Sequence, residues 1–453
     1  MPGVKKLSVL FCSLVLFLLL SSFAVRNSDR KTRSLVLRFQ IVIFIESLLS
    51  LGSLFIWRNL SQLYPAQQAG HHDATGKQSA ARRGILPIRR PSLYKGRFQV
   101  IWKCVLFTVL LSAQLCYPLG ATLISAEPYK IVLFSYICMG IHLLLSTNIA
   151  LWFLISAICR KIFCPKKNSD REWMTLFKVC VVVFVSGIFA FTAVSRAFHG
   201  PIIKKVNIPI SNLPKVFDSM RIVQISDIHL GPTVGKSQLQ RAVELTNSLN
   251  PDLVSITGDL VDAPVSYLSE AVLPLNQLNP QYGTYFVTGN HEYYTGDVDA
   301  WIVYLKTLGV KCLHNENIKI RHQVQDKDFF YLVGTDDVQG ETFKYGDHGF
   351  KLDKALEGTD QKHAIILLAH RPSAAYSALS ADKGIKLVLS GHTHGGQLFP
   401  AIVWVYFLNP YFIGLYQYSA TSYVYVSSGT FYWGIPMRMF STPEVTLITL
   451  HSA

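Results

Sequence analysis

The chain has 453 residues, half of them hydrophobic, so one to three domains are possible. Its net charge of +15 is uneven: residues 1–200 hold 24 Lys and Arg against 6 Asp and Glu, whereas residues 201–453 hold 19 against 22. The second half therefore lacks the charge of a nucleic-acid binder, and with Cys312 as its one cysteine it has no internal disulfide.

A helix needs about 20 apolar residues to cross a bilayer. The stretches 7–25, 35–57, 100–125, 131–158 and 176–197 meet that requirement, and they define an expected membrane region over 1–199. The first also has the basic start (Lys5, Lys6), apolar run and small-residue end of a signal peptide, but its length suits a retained helix better. Glu46 is the one acid inside a span. Such a group marks a proton or ion site unless it packs against a neighbouring helix, and with no partner at matching depth the packing role is expected. Residues 58–99 form a basic connector, with Arg82, Arg83, Arg89 and Arg90 suited to an anionic membrane face. His71 and His72 lie in this polar connector and are expected to be solvated.

Orientation follows Lys and Arg in short loops. With the N-terminus inside, the inner segments hold 15 and the outer segments 7. Five spans then place residues 200–453 outside the cytosol, in a lumen or the extracellular space. The sequon Asn59-Leu60-Ser61 falls on the inner side, where it stays unmodified.

From about Pro201 short apolar runs alternate with helix-like segments, the pattern of an α/β domain. Arg221–Ile225 reads as a strand and leads into Asp227 and His229. Ser237–Leu249 is an amphipathic helix. The strand Asp252–Ile256 ends in Gly258-Asp259, and Tyr285–Val287 ends in Gly289-Asn290-His291-Glu292. Phe329–Val333 ends in Gly334-Thr335-Asp336-Asp337, and Ala364–Leu368 ends in His370-Arg371-Pro372. Ile385–Val388 runs into Gly391-His392-Thr393-His394-Gly395-Gly396. Ligand sites in α/β sheets gather at the C-terminal ends of strands. Alone, each of these residues has an ordinary role: Asp227 or Asn290 as a turn or cap residue, Gly258-Asp259 as a turn, His370 as a strand-end group. Together, in order and each after an apolar strand, they point to a metal site.

The series Asp227-x-His229, Gly258-Asp259, Gly289-Asn290-His291-Glu292, His370 and Gly391-His392-x-His394 resembles the calcineurin-like metallophosphoesterase family. The match covers roughly residues 219–450. The resemblance implies a four-layer αββα sandwich over 200–453, after the membrane helices, with two metals at the strand ends. It assigns Asp227, His229, Asp259 and His394 to one metal and Asp259, Asn290, His370 and His392 to the other, with Asp259 bridging. His291 matches the family histidine that stabilises the transition state or protonates the leaving oxygen. The mixed nitrogen and oxygen ligands suit manganese, iron or zinc better than magnesium.

The expected activity is hydrolysis of a phosphate ester by a membrane-anchored dinuclear enzyme. Membrane attachment raises lipid phosphates and membrane-linked diphosphates above soluble nucleotides as substrates. The alternatives are a catalytically silent metal-binding scaffold, against which the complete ligand set argues, and a regulatory domain of a transporter, against which the sparse intramembrane charge argues. For the other polar residues structural roles are expected. His314, His322, His348 and His363 lack metal-like spacing, Asp336-Asp337 forms a turn, and Cys312 is a small buried hydrophobe. Tyr293-Tyr294 serves as core or active-site wall, and Arg371 faces either phosphate or solvent.

Overall fold

The computed structural model describes residues 30–63, 93–163, 171–325 and 327–453. The stretch 7–25 and most of the basic connector, with His71 and His72, lie outside the described residues. Four helices among the described residues are long and apolar enough to cross a membrane. They are α1 (Arg30–Leu60), α2 (Leu93–Gln114), α4 (Lys130–Phe163) and α5 (Arg171–His199), with a short α3 (Cys116–Thr122) after α2. The expected span 100–125 is thus divided. Pro118 has no N–H to give to the Gln114 carbonyl and clashes with it in a continuous helix, so the chain turns at Leu115 and restarts. Large apolar side chains such as Phe107, Phe134, Phe184 and Phe191 are exposed on these helices, as helices facing lipid require. Their inward sides pack together: Ala113, Val132, Met139, Ala190 and Ala193 share one buried cluster. Glu46 sits half-buried, and its Oε1 has no hydrogen-bond partner among the described residues.

Only Gly200 and Pro201 separate α5 from the first strand. The strands are β1 (Ile202–Ile210), β2 (Arg221–Ile225), β3 (Leu253–Thr257), β4 (Thr284–Val287), β5 (Val310–Cys312), β6 (Glu316–Arg321), β7 (Phe329–Gly334), β8 (Ile365–Leu368), β9 (Ile385–Ser390), β10 (Gly414–Ser419), β11 (Ser422–Val426) and β12 (Glu444–Ser452). They form two six-stranded sheets, ordered β1-β12-β2-β3-β4-β5 and β10-β11-β9-β8-β7-β6. In the first, β2 to β5 run parallel; in the second, β7, β8, β9 and β11 do.

Strand periodicity places the layers. Successive side chains point to opposite faces. In β8, Ile366 and Leu368 enter a core shared with Ile222, Leu253 and Val287 of the other sheet, while Ile365 and Leu367 face outward. The outward residues are covered by α9 (Pro372–Ser380), through Ala374, Ala375 and Ala378. On the far side, Val223, Val254 and Ile256 pack beneath α6 (Lys236–Ser248) and α8 (Val298–Thr307). The order is helix, sheet, sheet, helix, the expected four-layer sandwich. Strands buried on both faces read as unbroken apolar runs, which is why the central ones were recognisable. The flanking strands β1, β6 and β10 are largely exposed and carry no such run.

The membrane region and the sandwich meet through hydrogen bonds as well as side-chain packing. Lys236 N–H donates to Ala126 O at 2.8 Å and Arg438 N–H to Ala193 O at 3.0 Å. Ser237 N–H donates to Glu127 Oε1 at 2.7 Å.

Candidate metal centre

The parallel strands of both sheets present their C-terminal ends at one edge. The loops after β2, β3, β4, β8 and β9 carry the expected ligands, and all of them come together there. Asp227, His229 and His394 form one group whose ligand atoms lie within 4.8 Å of one another, and Asp259, His370 and His392 form another. Asp259 lies between them: its Oδ2 is 3.1 Å from His370 Nε2 and 3.8 Å from His229 Nε2. Asn290 is the first residue of α7 (Asn290–Thr295), beside Gly289, and is buried. A Cβ on Gly289 would fall 2.2 Å from Asp259 Oδ1, so only glycine lets these two loops meet.

The backbone at the site is held in an uncommon conformation. Asp227, His229, Asp259, His392 and His394 have φ between 50° and 72°. Non-glycine residues in this left-handed region cost of order 1 kcal/mol or more and collect at functional sites. What holds them is a set of hydrogen bonds that residue spacing did not reveal. Glu292 is buried and accepts four backbone N–H groups: Gly289 at 2.6 Å, Asp259 at 3.0 Å, Leu260 at 2.7 Å and Val261 at 3.2 Å. One carboxylate thereby fixes the β3 and β4 loops against each other. Asp227 accepts from Ser226 Oγ at 2.6 Å and from His392 N–H at 2.9 Å, which ties the β2 loop to the β9 loop.

Asp262 was also missed. Its Oδ1 lies 2.9 Å from His229 Nδ1 and 2.8 Å from His291 Nδ1. A carboxylate can only accept from these nitrogens, so it sets the tautomer of both rings and leaves each Nε2 for other work. Its signal in the sequence was a second acid three residues after Asp259. The His370 ring is fixed in the same way, because Nδ1 is 2.7 Å from the Thr257 carbonyl. His394 is backed by Arg438, which is fully buried and donates to the His394 carbonyl at 2.7 Å and to the Ser428 carbonyl.

These contacts test whether cations fit. With Nδ1 donating, a neutral His370 or His229 presents a bare Nε2, and both nitrogens face the Asp259 carboxylate. Lone pair against carboxylate is repulsive unless a proton or a cation sits between them. His229 Nε2 and His394 Nε2 approach to 2.9 Å in the same way. Asn290 Oδ1 is buried with no hydrogen-bond partner among the described residues, an orphan that a cation would satisfy. The residues fit two cations sharing Asp259.

The electrostatics of the protein alone separate the rings: burial lowers His370, yet Asp259 raises it to about 10, so it holds a proton that a cation would displace. Burial and the neighbouring His229 push His394 well below the usual imidazole range, and burial with His370 does the same to His392. Both rings are therefore neutral and able to ligate. Burial opposes ionisation of Asp259, but the His370, His291 and His229 imidazoles hold it well below the usual carboxylate range. For His291, burial pulls the ring down, yet Asp259 and Asp262 raise it to about 9. His291 Nδ1 is taken by Asp262, its ring stands 5.0 Å from Tyr294 and 5.4 Å from Trp433, and its side chain is partly exposed. That leaves Nε2 to exchange a proton with a bound molecule.

Other expectations divide. Tyr293 is core, whereas Tyr294 is exposed and borders the site. Arg371 has protein partners: its Nε donates to Asp337 Oδ2 at 2.7 Å and its Nη2 to Gln339 Oε1 at 3.2 Å. Asp337 also accepts from Gln339 N–H, the turn role expected of it. Cys312 is buried as expected. His322 packs on Phe217 and His363 on Phe329. His314 and His348 come together in a way that their spacing did not announce. Far apart in sequence, they meet on Asp336 with ring centroids 4.2 Å apart and ligand atoms within 4.8 Å. Spacing failed here because β5, β7 and their loops bring the three together only in the fold.

Comparison with known proteins agrees with this geometry. Residues 220–396 match the family described as calcineurin-like phosphoesterase. The chain is 37% identical over 426 residues to the transmembrane protein with metallophosphoesterase domain of Danio rerio, covering 94% of this chain and 92% of that protein. It is 37% identical over 441 residues to the protein of the same description from Bos taurus, covering 95% and 94%. An uncharacterized metallophosphoesterase of Helicobacter pylori is 38% identical over 250 residues, 55% of this chain and 64% of its own. The similarity to the first two thus runs through the membrane helices as well as the sandwich. The chain is a membrane protein that belongs to the calcineurin-like phosphoesterase family.

Proposed function

We propose that the chain is a dinuclear metal-dependent phosphoesterase anchored in a membrane, with its catalytic domain on the extracytoplasmic side. The observation that carries the catalytic part is the position of Asp259, whose Oδ2 faces His370 on one side and His229 on the other. Asp227, His229, Asp259 and His394 would hold one cation, and Asp259, Asn290, His370 and His392 the other; manganese, iron and zinc suit these donors. Two such cations neutralise an anionic ester and lower the pKa of a water for attack on phosphorus. The chain's own residues do the rest. Asp262 orients His229 as a ligand and His291 as a proton donor through the same carboxylate oxygen. His291, its Nδ1 held by Asp262, would give a proton from Nε2 to the leaving alkoxide. Glu292 keeps Asp259 in the orientation that faces both ligand groups.

The test is hydrolysis of an aryl phosphate ester by the purified full-length chain. Activity should vanish on treatment with a chelator and return with manganese, iron or zinc. A chain that binds metal at two equivalents and hydrolyses no phosphomonoester or phosphodiester would be a metal-binding scaffold instead.

A further inference from the structure

The loop that carries His392 and His394 does not return directly to the sheet. It continues into α10 (Ala401–Leu408), whose sequence is Ala-Ile-Val-Trp-Val-Tyr-Phe-Leu and which has no buried residue. Phe407 is 76% exposed and Leu408 77%. Single exposed apolar residues are ordinary, but a contiguous apolar element needs a partner. The surroundings are equally free of charge: no Lys, Arg, Asp or Glu occurs between Lys386 and Arg438.

Several contacts join this element both to the centre and to the membrane helices. Thr393, between the two histidines, donates to the Phe412 carbonyl at 2.7 Å. A Cβ on Gly396 would fall 2.3 Å from Ile402 Cα. Gln397 donates to the Trp433 carbonyl at 2.9 Å, and Trp433 is half-exposed beside His291. Leu398 and Phe399, immediately before α10, pack in the cluster of Met139, Ala190 and Ala193 on α4 and α5. Phe191, next along α5 from Ala190, is 75% exposed, so lipid reaches that depth. The chain thus leaves the surface of two membrane helices and enters α10 within two residues. Eight helical residues extend about 12 Å, too short to span a bilayer. An uncharged element of this length, with Trp404 and Tyr406 on it, suits the boundary between head groups and acyl chains.

We infer that α10 is seated in the bilayer crossed by α4 and α5, and that the centre opens onto its surface and takes the phosphate of a lipid held in that leaflet. This rests on the phosphoesterase reading above. A lipid substrate needs no desorption if its head group already lies at the depth of the histidine loop. Trp433 and Tyr294 form the lip between that surface and His291.

The test uses the full-length, metal-loaded chain in phosphatidylcholine nanodiscs. Phe407→p-benzoylphenylalanine reports location by photocrosslinking. Hydrolysis is followed on phosphomonoester, phosphodiester and diphosphate lipids in the disc and on p-nitrophenyl phosphate in water. A variant combining Trp404→Ser, Phe407→Ser and Leu408→Ser is compared with the unaltered chain. The expected result is crosslinking to lipid and unchanged hydrolysis of the soluble ester by the variant, which also reports its folding. Its turnover of the lipid should fall roughly tenfold or more, given the loss of three apolar side chains that the bilayer would cover. Crosslinking only to a second copy of the chain, or equal lipid turnover by both forms, overturns the inference. Hydrolysis of the soluble ester with none of any lipid overturns the substrate class and leaves the phosphoesterase reading standing. Failure on every ester, with metal bound and lipid crosslinked, overturns the phosphoesterase reading and with it the substrate class.

Discussion

Asp259 contacts both halves of the centre, and its other oxygen, Oδ1, accepts from His291 N–H at 2.8 Å. Asp259→Asn keeps the shape but removes the charge that two cations would share. Metal content measured by mass spectrometry and phosphoesterase activity should fall together in this variant; full metal with full activity would sink the bridging role. His291 stands differently, since neither ligand group needs it to be complete. His291→Ala should keep both metals and lose roughly 10²–10⁴ in turnover. Part of that loss should be recovered on esters with good leaving groups, which need no proton. Equal losses on activated and unactivated esters would instead favour electrostatic stabilisation. Asp262 acts through its neighbours. Asp262→Asn can donate where the carboxylate could only accept, so the His229 and His291 rings lose their fixed tautomer. Losses of about 10–100-fold in metal affinity or activity are typical when such a partner is removed. A titration of metal binding separates this from a purely catalytic defect, because the proposed roles make His229 a ligand and His291 a proton donor.

At the scale of elements, the centre exists because five loops from two sheets approach more closely than side chains allow. Gly391 shows this best. A Cβ there would fall 2.1 Å from Ser226 Oγ and 2.2 Å from Asp227 Oδ2. Gly391→Ala must push the β9 loop away from the β2 loop, although the strands themselves are untouched. The expected outcome is a folded protein, judged by circular dichroism and thermal unfolding, with weakened binding of the metal proposed for Asp227. Loss of the whole fold would mean that the loop contact supports the sheets as well. Glu292 belongs to this scale too: it is a side chain of α7 whose bonds are all to the backbone of neighbouring loops.

For the whole molecule, the open question is the side of the membrane. Five spans starting inside, the arrangement that the 15 Lys and Arg against 7 favour, would put the phosphoesterase domain outside the cytosol. Removal of the first span as a signal peptide gives the same answer, because four spans would then start and end outside. The four helices described here are compatible with either case. Protease protection in sealed microsomes, with an epitope after Ala453, decides it: the epitope should survive until detergent is added. Digestion without detergent would place the centre in the cytosol.

The sequence by itself determined the helices and central strands, because their apolar periodicity follows from burial on fixed faces. It also determined the seven ligand candidates and His291, because each stands just after such a strand. Edge strands such as β6 and β10 left no comparable signal, since exposure relaxes their composition. Only the tertiary structure decided what supports the centre. Asp262, Glu292 and Arg438 act largely through atoms presented by other loops, as do the paired His314 and His348, and linear spacing does not encode contacts between separate loops. It alone also decided that the apolar helix α10 has no buried residue. Its neighbours Leu398 and Phe399 are already packed against the membrane helices, and its own side chains stay largely exposed.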